Sequence, residues 1–168
     1  MTRPGRWSRR TTLVVASVLG VLAVGTTAGA AWTLSESRAD EQIAAARSAA
    51  AATAQEQVPL LLSYAPDTVE TALADASSAL TGEFKDQFGE LATTVIVPTS
   101  KDKGVATDAT IVESSIVTAD EDSATLLLFV NQTTTTTADP APALAGSRVV
   151  VELLDTGEGW KISDLHPV

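Results

Sequence analysis

The side chains best suited to chemistry are scarce in this sequence. Its 168 residues include one histidine, His166, one tyrosine, Tyr64, and no cysteine. Without a thiol there is no cysteine nucleophile, disulfide, iron–sulfur cluster or cysteine-based zinc site. His166 stands next to Pro167 at a chain end, where fraying is usual, and no second histidine can complete a metal set with it. Tyr64 offers a phenol that could donate a hydrogen bond to a ligand, although a tyrosine ending a helix is more often a half-buried packing residue. Asp120-Glu121-Asp122 could present carboxylates to a hard cation, but the run lacks the spacing of a calcium loop and reads as a solvated turn. Asn131-Gln132-Thr133 matches the glycosylation sequon, yet falls inside an expected strand. Acid/base work would therefore rest on carboxylates and lysines that mostly occupy expected turns and wet helix faces, where groups make poor catalysts. The expectation is a protein without enzymatic activity, cofactor or metal.

The elements that carry these residues begin with a charge asymmetry. The chain has 21 acidic and 11 basic residues, a formal charge of −10. That balance argues against a nucleic-acid surface, which needs a basic footprint. Arg3, Arg6, Arg9 and Arg10 all precede the first acidic residue, Glu36. Between them runs an uncharged stretch of 25 residues, Thr11 to Ser35, containing LVVASVLGVLAVG. As a helix it would reach roughly 37 Å at about 1.5 Å per residue, enough for the roughly 30 Å hydrocarbon core of a bilayer. Trp7 and Trp32 bracket it as headgroup-level anchors, and with Arg9 and Arg10 they form the expected membrane interface. The positive-inside rule puts the N-terminus in the cytoplasm and the acidic remainder outside. An uncleaved signal anchor is the leading reading. A secretory signal cleaved after Ala28-Gly29-Ala30, and twin-arginine export through Ser8-Arg9-Arg10-Thr11-Thr12-Leu13, remain alternatives.

Beyond the span, Glu36 to Val58 is Ala-rich and free of Gly and Pro, which reads as a solvated helical stalk without coiled-coil heptads. Pro59 should kink or restart the helix. Asp67 with Glu70 has the spacing of a capping box, followed by one stripe of Val69, Leu73, Ala76 and Leu80. Thr81 can cap a second helix bearing Phe84, Phe88 and Leu91, with Gly82 allowing two backbones to meet closely. The pattern then changes to strands at Thr107–Thr118, Ala124–Thr137, Ser147–Leu154 and Gly159–Leu165, with Trp160 and Ile162 facing the helical layer. Helices followed by an antiparallel meander give an α+β fold.

These segments together resemble the Mce-associated membrane proteins of actinobacteria. The resemblance rests on the Arg-rich start, single span and Ala-rich stalk, then LLSY at Leu61–Tyr64, LTGEFKDQF at Leu80–Phe88, LLLFVNQTTT at Leu126–Thr135 and WKISDL at Trp160–Leu165. It implies a cytoplasmic tail over 1–10, a membrane anchor over 11–35, a stalk over 36–58 and, over 59–168, an extracytoplasmic NTF2-like cone of helices on a curved antiparallel sheet. It implies an accessory or assembly role beside an Mce-type lipid-import complex of the cell envelope. The expected partners are Mce subunits or related Mce-associated proteins and the lipid bilayer, with self-association left open. A carrier whose cone takes a small apolar ligand, lipid or sterol, with Tyr64 in contact, is the alternative.

Overall fold

The computed structural model describes residues 40–168. The expected span at 11–35 and the interface residues Trp7, Arg9, Arg10 and Trp32 lie outside the described residues. Among the described residues no helix is long and apolar enough to cross a membrane.

The first helix, α1, covers residues 40–62. From Ile43 onward it belongs to one packed unit that runs to Val168. Ala46, Ala50, Ala54, Val58 and Leu61 recur at helical spacing, and all five are buried. Alanine lets this helix lie close against the sheet, and Gln55 Nε2 donates to Ser114 Oγ at 2.8 Å across the contact. Much of the segment expected to be a solvated stalk is thus a core helix. The break expected at Pro59 does not occur either, since the helix continues to residue 62. Proline costs this helix one amide donor, and the burial of Val58 and Leu61 on either side offsets the loss.

Helix α2 is Val69–Ser77, with Val69, Leu73 and Ala76 buried on one face and Leu80 continuing the stripe beyond its end. Asp67 does not cap it. Thr68 holds the cap position without a side-chain bond, and its carbonyl receives Ala72 N at 2.9 Å and Thr71 Oγ1 at 2.9 Å. Helix α3 is Gly82–Leu91, followed by a wide π-helical turn over Ala92–Ile96 and by α4, Val97–Lys103. The sequence pattern foresaw two helices after the stalk and missed α4, whose Val97-Pro98 start carries no apolar period. Thr81 makes no side-chain cap, and a β-carbon at Gly82 would meet nothing within 4 Å. Gly82 is required instead by its φ of +62°.

Four antiparallel strands follow in sheet order β1-β2-β3-β4: Ala106–Ala119, Ser123–Thr135, Ala143–Asp155 and Trp160–Pro167. Period-two alternation turns Leu126, Leu128 and Val130 of β2, Val149, Val151 and Leu153 of β3 and Ile162 of β4 toward the helices, where they form the core with the α1 and α2 stripes. Register shifts in β1 at Val112 and Val117 add one residue each on the outer face and bend the sheet around the helical layer. This is the α+β, helix-on-curved-sheet arrangement expected from the sequence. Both sheet edges are tied to the helices. Tyr64 exchanges backbone bonds with Thr107 at 3.0 and 2.9 Å, while Thr81 N and Ala79 O bond Ile162 at 2.9 Å each.

Candidate functional site

The end of α1 sets the floor of a cavity between helices and sheet. The Leu62 carbonyl, freed at the helix C-terminus, accepts Thr107 Oγ1 at 2.7 Å and faces Gln132 Nε2 at 3.4 Å. Ser63 Oγ accepts Ala109 N at 2.9 Å, so the exit from α1 is stitched to β1 at the two residues before Tyr64. On α3, Phe84, Gln87, Phe88 and Leu91 fall three and four residues apart and share one face. The Phe84 and Phe88 rings pack with centroids 6.4 Å apart at 45°. The π-helical turn swings Ile96 round to the same side.

These groups, with Leu61, Leu62 and Leu165, line a partly open cavity of about 320 Å³. That falls within the roughly 300–1,000 Å³ of small-molecule sites. Seven of the ten lining residues are apolar, and the other three are Tyr64, Gln87 and Gln132. Gln87 Nε2 donates to Glu83 Oε1 at 2.9 Å on the helix surface. Among the described residues no charged side chain lines the cavity. Its chemistry is therefore shelter for an uncharged apolar group, with one phenol and two amides for orientation.

Tyr64, the ligand-contact residue named from sequence, lies in this lining. The remaining candidates lie elsewhere. His166 is exposed on β4, its Nδ1 2.8 Å from Asp164 Oδ2. Asp120, Glu121 and Asp122 form the exposed β1–β2 turn, held by Asp120 N to Ser123 O and by Asp155 N to Asp122 O, 2.8 Å each. Among the described residues no three His, Cys, Asp or Glu side chains gather as a metal set. Gln132 and Gln87 were missed, though signals for both existed. Gln132 extends the inward phase of Leu126, Leu128 and Val130, and Gln87 shares the Phe84 and Phe88 face. Nothing in the sequence marked Ile96, because the π-helical turn that places it has no pattern of its own.

No known family profile matches the chain. The outer membrane protein Rv1973 of Mycobacterium tuberculosis is 36% identical over 162 residues, 96% of this chain and 99% of that one. The uncharacterized protein Rv1362c of the same organism is 34% identical over 165 residues, 96% of this chain and 75% of that one. Among solved structures, an IcmL-like type IV secretion system protein of Legionella pneumophila superposes with a TM-score of 0.60 at 10% identity, over 70% of this chain and 88% of that one. The periplasmic domain of DotI gives 0.58 at 16% identity, over 69% and 90%. CagV of Helicobacter pylori, a VirB8 homolog, gives 0.54 at 17%, over 70% and 94%. At such identities the likeness is one of fold.

Proposed function

Because the chain belongs to the family of Mycobacterium tuberculosis proteins that includes Rv1973 and Rv1362c, we propose that it is a membrane-associated accessory subunit whose extracytoplasmic domain works by binding other chains. The observation that carries this reading is the fold shared with the periplasmic domain of DotI, with the IcmL-like type IV secretion system protein and with CagV, a VirB8 homolog of a type IV secretion system. The name of Rv1973 adds support for a place at a membrane. A cavity without a charged lining favours binding over catalysis. The finer assignment, assembly beside an Mce-type lipid-import complex, rests on the resemblance carried by Leu61–Tyr64, Leu80–Phe88, Leu126–Thr135 and Trp160–Leu165. Deleting the protein should lower the steady-state amount of its partner complex, read by quantitative immunoblotting, while Tyr64→Phe should leave that amount unchanged. Normal complex abundance in the deletion strain would sink the assembly reading.

A second reading is favoured by one feature, the 320 Å³ apolar cavity itself. An assembly subunit has no need of it, and a carrier does.

A further inference from the structure

We propose that the cavity beside Tyr64 is a site for a single acyl chain of an uncharged lipid, an inference that rests on the carrier reading and narrows it. Size is the first argument. A methylene fills about as much space as a liquid water, roughly 30 Å³, so a volume of 320 Å³ holds on the order of ten carbons. That suits one medium-length chain, or the end of a longer one.

Charge is the second. A carboxylate, phosphate or ammonium carried into this space would meet no opposite charge among the lining residues, and an unpaired ion is costly to bury. Hydrogen-bonding capacity remains for an uncharged polar end. The Tyr64 hydroxyl has no hydrogen-bond partner among the described residues, and Gln132 reaches the Leu62 carbonyl only at 3.4 Å, beyond good geometry. A hydroxyl or an ester carbonyl fits this pair, since each can bond a phenol or an amide.

The wall is the third. The π-helical turn over Ala92–Ile96 brings Ile96 to the cavity. The preceding carbonyls are held by threonine hydroxyls: Thr93 Oγ1 donates to Gly89 O at 2.9 Å and Thr94 Oγ1 to Glu90 O at 2.6 Å. A widened turn, supported from outside and opening space inside, is an arrangement that recurs at functional sites. Leu91, 48% exposed, stands at the rim where a chain would enter from solvent.

The test uses the full chain in phosphatidylcholine vesicles and a decan-1-ol derivative with a diazirine at its far end. After irradiation, cross-links mapped by mass spectrometry should fall on the segments Leu61–Tyr64 and Phe84–Ile96. Unlabelled decan-1-ol or monodecanoylglycerol should suppress them about tenfold, whereas decanoate, decylammonium and a sterol should not. Leu91→Trp, a rim change, should cut labelling several-fold, and Leu144→Trp, at a site 71% exposed on β3, should not. Thermal melts of both variants separate blocking from unfolding. Equal displacement by decanoate and decan-1-ol would overturn the uncharged-lipid assignment and leave the carrier reading intact. Displacement by the sterol alone would overturn the single-chain assignment in the same way. Absence of any mapped cross-link in these segments would overturn both, without touching the assembly reading, which is tested by complex abundance.

Discussion

Two glycines show how much one residue can decide. Gly82 and Gly104 both have φ of +62°, a conformation that costs other residues roughly 1–2 kcal/mol. At Gly82 an added β-carbon meets nothing, so Gly82→Ala should cost about 1 kcal/mol in urea unfolding. At Gly104, the left-handed residue that ends α4, the same atom would collide with the Thr137 side chain. Gly104→Ala should therefore cost about 3 kcal/mol, strain and overlap together. Thr137→Ala in the same chain should bring the cost back toward the Gly82→Ala value. Equal losses at the two sites would show that Thr137 does not crowd Gly104. Gly82 stood out in the sequence beside a helix start, but only the fold shows that Gly104 ends a helix and that Thr137 lies across from it. Tyr64 illustrates the same limit. As the single tyrosine it was conspicuous, yet its place in a cavity follows from a backbone ladder to Thr107, 43 residues away.

Among the elements, α1 departs most from expectation. Its buried positions 46, 50, 54 and 58 were already spaced by four, but alanine also covers the other faces, so no hydrophobic contrast disclosed which side is inside. Ala54 is fully buried, and Ala54→Leu should overpack the contact and cost about 1–3 kcal/mol, whereas Ala52→Leu on the exposed face should be near neutral. Equal tolerance at both positions in thermal melts would return this segment to a solvated stalk. On β4 the alternation was legible, with a difference of degree. Ile162 is fully buried, and Ile162→Ala should cost about 2–5 kcal/mol. Trp160 is half-buried at the margin of the core, so Trp160→Ala should cost less, about 1–2 kcal/mol. A larger loss at Trp160 than at Ile162, measured by chemical unfolding, would show that the indole belongs to the core and not to its margin.

For the whole molecule, the proposed topology follows from charge order: the basic cluster precedes the uncharged run and all 21 acidic residues follow it. Protease added to intact spheroplasts should degrade the C-terminal domain, and the protein should stay with membranes after carbonate washing. Protection until lysis would reverse the orientation. Release by carbonate, with a mature N-terminus at Ala31, would replace the anchor with a cleaved signal.

The sequence alone determined what is local and periodic. The meander was legible because alternation in Leu126, Leu128 and Val130, or in Trp160 and Ile162, is written residue by residue and broken by turn-forming segments. The exclusion of thiol chemistry needed only a count. Tertiary structure decided where the domain begins, because an alanine helix has no preferred face until a curved sheet offers one. It also decided the cavity, whose walls come from α1, α3, the π-helical turn, β2 and β4. No local pattern encodes the empty space between five segments. One of those walls depends on a π-helical turn, which has no periodic signature in the sequence and yet brings Ile96 to the cavity.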